Sequence, residues 1–113
     1  MNKQEAEKRI EKEFAMAAKA KSAGNDGMVR VCARRAAGAA ITYWLESHPH
    51  ERWGVDAMNQ LRSLQLDETI PEPIREAARR LTTKITEQFT SPFSTDPLAD
   101  SMIIIDFFLS KDT

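Results

Sequence analysis

The sequence has little cysteine and no long apolar run, and both scarcities limit what the protein can be. Cys32 is its only cysteine, so the chain cannot form an internal disulfide. The longest apolar stretch, residues 102–109, includes an acid and falls far short of the roughly 20 residues that span a bilayer. Residues 1–12 are mostly charged and resemble no signal peptide, so we expect a cytoplasmic protein with no membrane partner.

The chain also lacks alternating apolar and polar residues. Such alternation is typical of half-buried strands, so its absence predicts no sheet. A chain of 113 residues suits one domain, here residues 1–113. The net charge is −1, but residues 1–35 carry +4 and residues 36–113 carry −5. A basic first third is compatible with a phosphate-bearing or acidic partner, although +4 is small for a nucleic-acid binder.

Residues 25–46 form the stretch around which we expect the fold to be organised. They contain no proline and read as one long helix. A helix over residues 3–22 precedes them, with apolar residues at three- and four-residue spacing. Gly24 suits the left-handed residue that ends a helix, and Asn25 or Asp26 caps the next one. A turn this short predicts two antiparallel helices.

The second helix carries a core stripe and an unusual run of small residues. The stripe is predicted to comprise Val29, Cys32, Ala33, Ala36, Ala40, Tyr43 and Trp44. Gly38 lies within the run of small residues, where glycine costs about 1 kcal/mol relative to alanine. That cost is reasonable where another backbone or a ligand comes close, so Gly38 indicates a close contact.

Three further helices are expected, at residues 54–65, 71–89 and 97–110. Inward positions of the first two are Val55, Met58, Leu61, Leu64, Ile74, Ala78, Leu81, Ile85 and Phe89. The solvated side of the fourth helix is expected to comprise Glu72, Arg75, Glu76, Arg79 and Arg80. The fold class predicted is therefore all-α, an antiparallel up-and-down bundle of about five helices.

Capping signals mark the starts of the last two helices. Thr69 with Glu72 fits a capping box, and Pro71 suits a first helical turn. Asp96 is expected to cap the final helix, with Pro97 at its first position.

The last helix is apolar nearly all round its circumference. Such a helix is either central in the bundle or covered on its second side by a partner chain. A small domain cannot easily wrap one helix completely, so a homodimer interface is favoured. Asp106 lies within this apolar sequence, and a buried carboxylate there needs a cation or donors. It is predicted to pair with Arg34 or Arg35; surface exposure and a functional role are the alternatives.

Arg30, Arg34 and Arg35 of the second helix are the best candidates for contacting a phosphate or a partner. Guanidinium groups form forked hydrogen bonds to phosphate oxygens, as in nucleotide or RNA recognition. The alternative, which we favour, is that they pair with acids of the first and last helices.

No residue pattern marks a catalytic or metal centre. His48 and His50 share a turn with Glu51, and Cys32 is the only thiol, so the ligand count for a metal is too low. Cys32 is interpreted as a small core residue, and Trp44 and Trp53 as core or staple residues rather than base-stacking platforms. We expect neither metal nor cofactor, and no catalytic residue is assigned.

The turn at residues 24–27, followed by the arginine- and alanine-rich segment 30–38, resembles the HEPN domain, the higher-eukaryote and prokaryote nucleotide-binding helical bundle. The terminal apolar helix is compatible with this likeness. The resemblance implies a bundle of four or five helices, usually a homodimer, with links to nucleotide or RNA chemistry.

The chain departs from that family at its catalytic motif. HEPN ribonucleases carry an arginine followed, after four to six residues, by a histidine on a late helix, whereas the last helix here has neither residue. The resemblance thus favours a non-catalytic binding module. The alternatives are a nucleotide- or RNA-processing enzyme with a rearranged site, and an adaptor for the product of a neighbouring gene.

Overall fold

A computed structural model describes residues 1–49, 51–83 and 96–110, and these form an all-helical bundle. The five helices are α1 (Lys3–Ser22), α2 (Asp26–Glu46), α3 (Ala57–Leu66), α4 (Glu72–Thr82) and α5 (Pro97–Ser110). The described ranges contain no strand, as predicted. No helix within them has the length and apolar character needed to cross a membrane.

The hairpin of α1 and α2 forms as the sequence indicates. Gly24 has a φ of +72°, the left-handed conformation that ends α1. The side chain of Asn25 then accepts a hydrogen bond from the backbone N–H of Met28 at 3.1 Å, so Asn25 is the cap of α2. At the far end of the hairpin the N-terminal ammonium group pairs with Glu46, which links the start of α1 to the end of α2.

Helix α2 occupies the centre of the bundle and packs against α1, α3 and α5. Its buried residues cover most of its circumference: Val29, Arg30, Cys32, Ala33, Ala36, Ala37, Gly38, Ala39, Ala40 and Ile41. The predicted stripe is confirmed for its buried members, while Tyr43 and Trp44 are half-buried. From the sequence, α5 was an alternative for the central helix. The structure places α2 there, because its small side chains let neighbours approach from several sides.

The closest approach in this packing is between α2 and α3 at Gly38, as predicted. A Cβ atom at Gly38 would lie 2.9 Å from the Cβ of Ala57 and 3.3 Å from its Cα. Both atoms belong to the start of α3 and cannot swing aside. Glycine at this position therefore sets how near α3 lies to α2.

The start of α3 corrects the expectation from sequence. The helix begins at Ala57, not Gly54, and the Asp56 side chain caps it by accepting from the N–H of Asn59 at 2.9 Å. Gly54 has a φ of +84°, which is incompatible with a right-handed helix. Val55, predicted to point inward, is 95% exposed because it lies in the loop before the helix.

The start of α4 is also different from the prediction. Pro71 is the N-cap and no side chain bonds the first turn, so the predicted capping box is wrong. The Thr69 hydroxyl instead donates to Asp67 at 2.6 Å within the preceding turn.

The end of α4 is earlier than predicted. The helix ends at Thr82 because Thr83 has an extended backbone. Inward positions Ala78 and Leu81 are confirmed, whereas Ile85 and Phe89 lie outside the described residues.

Helix α5 starts as predicted and buries one face. Asp96 accepts from the N–H of Leu98 at 3.0 Å, and Pro97 is the first helical residue. The inner face presents Ser101, Ile104, Ile105 and Phe108 to α2 and α4. The ring of Phe108 lies 5.1 Å from that of Trp44 and 6.3 Å from that of Trp53, so Trp53 is a core residue and the half-buried Trp44 packs against the core.

We expect Gly38→Ala to destabilise the fold. The added methyl overpacks the contact with α3, which typically costs about 1–3 kcal/mol, and the gain in helix propensity of up to about 1 kcal/mol offsets only part of that. Urea unfolding followed by circular dichroism measures the change. Gly27→Ala is the matched control, because the nearest atom to its Cβ is at 3.7 Å. A stability of G38A equal to that of G27A would contradict the close contact.

Candidate functional site

The structure separates the three candidate arginines of α2 into two environments. Arg30 and Arg34 face the end of α4, whereas Arg35 lies on the other side, towards α1. They therefore do not form one cluster. The first environment offers backbone carbonyl oxygens as partners, and the second offers the carboxylate of Glu13.

Arg30 binds the backbone at the carboxyl end of α4. Its Nη2 group donates to the carbonyl oxygens of Arg80, Leu81 and Thr83 at 2.8, 3.1 and 2.9 Å. The last carbonyl groups of a helix have no partner within the helix, so they need external donors when they are buried. Arg30 is 9% exposed, and it supplies that partner from the centre of the bundle.

Arg34 adds a second donor at the same helix end. Its Nε atom donates to the carbonyl oxygen of Leu81 at 2.7 Å. Burial lowers the pKa of both guanidinium groups, and the charge of Arg34 lowers that of Arg30 further. Both nevertheless stay charged, because arginine does not lose its proton in proteins. The negative end of the α4 dipole compensates part of the cost of holding two cations here.

Arg30 and Arg34 therefore act as a C-terminal cap for α4 in this structure. The sequence favoured a structural role for the arginines, but with acids as partners. The partners of Arg30 and Arg34 are instead backbone carbonyl oxygens, which a sequence motif does not reveal.

Arg35 remains available to solvent. Its side chain is 55% exposed, and its Nη1 atom lies 3.9 Å from the carboxylate of Glu13 on α1. An ion pair of this length, with its guanidinium in solvent, contributes little to stability, although the Glu13 side chain itself is only 13% exposed. Of the three arginines, Arg35 is the one that the bundle does not use as a helix cap.

Arg35 lines a cleft where α1, α2 and the start of α3 meet. The cleft has a volume of about 170 Å³ and is lined by Arg9, Arg35, Gly38, Ala39, Thr42, Val55, Ala57 and Gln60. Gln60 is 1% exposed, and its Nε2 donates to Thr42 Oγ1 at 3.0 Å and to the carbonyl oxygen of Gly54 at 3.2 Å. These bonds hold the amide in one orientation at the cleft wall.

Sequence reasoning missed Arg9 and Gln60 as members of this cleft. A signal for Arg9 was present, because the turn at residues 23–25 fixes the register of the hairpin and places Arg9 opposite the middle of α2. No comparable signal exists for Gln60, since its position depends on how α3 packs over Gly38.

An acid that the sequence did not single out is buried between α4 and α5. Asp100 is 6% exposed and accepts from Nε and Nη2 of Arg80 at 2.9 and 2.8 Å. The hydrogen bond to Asp100 raises the pKa of Arg80. Arg80, predicted on the solvated side of α4, is thus half-buried and paired with a buried acid. The Asp100 Oδ2 atom is buried with no hydrogen-bond partner among the described residues.

Asp106, the acid that the sequence did single out, lies on the exposed face of α5. No pair between Asp106 and Arg34 or Arg35 is found among the described residues. Asp106 and Asp100 are six residues apart, so they project from different sides of the helix. Asp100 rather than Asp106 faces the bundle because it shares a side with Ile104 and Phe108.

The remaining candidate residues have structural roles. Asp26 is the first residue of α2, where an acid suits the positive helix end. The ring of His48 stacks on Trp44 at 3.9 Å and bonds the Trp44 carbonyl oxygen through Nδ1 at 2.8 Å, whereas His50 lies outside the described residues. Cys32 is fully buried. Within the described ranges no three His, Cys, Asp or Glu side chains are grouped to hold a metal ion.

A second, open depression of about 560 Å³ lies beside α3. Glu51, Trp53, Ser63, Leu66, Asp67 and Glu68 line it. Its three carboxylates make it unfavourable for an anion, in contrast to the cleft at Arg9 and Arg35.

Comparison of the chain with models of protein families, with curated proteins and with solved structures gives no match. The likeness to the HEPN domain is therefore neither supported nor excluded by these comparisons. The functional assignment of this chain depends on its own geometry alone.

Removing the α4 cap is expected to destabilise the protein. Arg30→Met leaves the carbonyl oxygens of Arg80 and Thr83 without their charged donor, while that of Leu81 keeps Arg34. Hydrogen bonds to charged groups contribute about 1.5–3 kcal/mol each, so we expect a loss of at least about 2 kcal/mol. Urea unfolding measures it. Arg35→Met is the matched control and should change stability by less than about 1 kcal/mol. Equal effects of the two substitutions would refute the capping role.

The buried thiol should make stability depend on pH in the alkaline range. Burial raises the pKa of Cys32, Glu13 adds to the effect and Arg35 opposes it. The unfolded chain then loses the thiol proton first, so this stabilisation is complete below about pH 8.5 and declines as the pH rises above that value. Urea midpoints measured across this range should fall more steeply for the natural chain than for Cys32→Ala. Parallel slopes would contradict this.

Proposed function

We propose that this chain is a non-catalytic, homodimeric helical interaction module that self-associates through the outer face of α5. This face comprises Ala99, Met102, Ile103 and Asp106, which are exposed and recur at three- and four-residue spacing. The observation that carries the proposal is the exposure of its two large apolar side chains, 42% for Met102 and 38% for Ile103.

The composition of α5 favours a second covering layer. Its mean character is apolar, yet the residues that the structure describes cover only the side that faces α2 and α4. A second copy would cover the outer side with the same residues, as in a two-fold symmetric interface. Each apolar side chain then contributes twice, once from each copy. Complete burial of a large apolar side chain contributes about 1.5–3 kcal/mol, and these half-exposed ones would contribute less.

The environments of the reactive side chains support a non-catalytic role. A nucleophilic cysteine needs a lowered pKa and exposure, whereas Cys32 is buried and burial raises its pKa. His48 is stacked on Trp44 and bonded to its carbonyl oxygen. Arg30 and Arg34, two of the three candidates for a phosphate contact, are bonded to α4. We therefore do not include them in the contact surface of the module.

The dimer is tested by one charge substitution in the α5 face. We expect light scattering at micromolar concentration to give the mass of a dimer for the natural chain and of a monomer for Ile103→Glu. Burying two like charges in a symmetric interface should weaken association at least about tenfold, or 1.4 kcal/mol. Val55→Glu is the matched control, since Val55 is 95% exposed and distant in sequence from α5. A monomeric natural chain would defeat the proposal.

A further inference from the structure

We propose that the cleft formed by Arg9, Arg35, Thr42 and Gln60 binds the terminal phosphate of a small molecule. This site lies between α1, α2 and α3, and no residue of α5 lines it. It is therefore separate from the proposed dimer face, and a monomeric chain would retain it.

The charge of the cleft suits a dianion. Arg9 comes from α1 and Arg35 from α2, so two guanidinium groups line one cavity from different helices. Among the described residues Arg9 has no ion-pair partner, and Arg35 has only Glu13, at 3.9 Å. A phosphomonoester carries about −1.5 to −2 charges at neutral pH, which matches two cations better than the single charge of a phosphodiester.

Thr42 supplies a neutral donor at the same place. Its Oγ1 accepts a hydrogen bond from Gln60 Nε2, and Gln60 is fixed by a second bond to the Gly54 carbonyl oxygen. A hydroxyl that accepts one bond still has its own proton to donate. The hydrogen bond from Gln60 thus occupies one acceptor position of the Thr42 hydroxyl oxygen. The hydroxyl proton of Thr42 stays available to donate to an anion.

The cleft is too small for a whole nucleotide. Its volume of about 170 Å³ is below the roughly 300–1,000 Å³ of pockets that enclose drug-sized ligands. The small residues Gly38, Ala39 and Ala57 complete the lining beside the polar side chains. The phosphate and its nearest atoms would enter, and the rest of the molecule would lie in solvent.

Glu13 competes with a bound phosphate for Arg35. Its carboxylate pairs with Arg35 and would repel an incoming phosphate. Ligand binding must therefore displace the Glu13–Arg35 contact. Because the two groups are 3.9 Å apart and the Arg35 guanidinium lies in solvent, the loss of this contact costs little.

The test is a titration of the full chain, followed by amide chemical shifts, with four probes. Inorganic phosphate and adenosine 5′-monophosphate should bind with affinities within about tenfold, or 1.4 kcal/mol, of each other, whereas adenosine should not bind. Binding should strengthen between about pH 5 and pH 7 as the phosphate gains its second charge, and weaken with added salt. A short RNA without a terminal phosphate is the fourth probe. If it binds more tightly than the monophosphate, the assignment to a phosphomonoester is overturned.

Substitutions locate the binding in the cleft. Arg9→Gln and Arg35→Gln should each weaken phosphate binding about tenfold or more, and Glu13→Gln should strengthen it several-fold. Arg79→Gln is the matched control, since Arg79 is an exposed arginine of α4 that does not line the cleft. The three arginines are exposed and Glu13 is partly buried, and circular dichroism checks that each variant is folded. Absence of phosphate binding, or equal loss in Arg79→Gln, overturns the proposal.

Discussion

The close packing around the middle of α2 governs how the other helices are arranged. The alanine and glycine residues between Ala33 and Ala40 allow α1, α3 and α5 to contact one helix on different sides. At Gly38 the approach of α3 leaves no space even for a methyl group. A central helix of ordinary width would push these neighbours apart and expose the apolar residues that they bury. The bundle therefore has its small residues inside and its larger ones on the surrounding helices.

A central α2 has a chemical consequence, because it brings Arg30 and part of Arg34 inside with it. Buried cations need partners, and the partners available at that level are the last carbonyl groups of α4. The second helix thereby fixes where the fourth one ends. The pair of Arg80 and Asp100 continues the same polar layer towards α5. These inner charges thus hold helix ends and helix contacts in place.

The two surfaces with functional potential lie on different helices and differ in chemistry. The outer face of α5 is apolar and suits a protein surface, whereas the cleft between α1, α2 and α3 is cationic and suits an anion. Arg35 belongs to the second surface because the helical spacing turns it away from Arg34, towards Glu13. Of these two adjacent residues, Arg34 stabilises the fold by bonding α4, whereas Arg35 lies in solvent.

The amino-acid sequence was sufficient to establish the helices, the hairpin turn at Gly24 and Asn25, and the need for a close contact at Gly38. These features arise from local chemistry: periodicity, left-handed glycine, and side chains that cap the nearest backbone N–H groups. It took the packing of the helices to show that α2 is central, that Asp100 rather than Asp106 is buried, and that Arg30 bonds to a carbonyl group 50 residues away. The reason is that every residue carries the same backbone carbonyl group, so the sequence does not distinguish one acceptor from another. The packing of the helices decides which of these groups an arginine can bond.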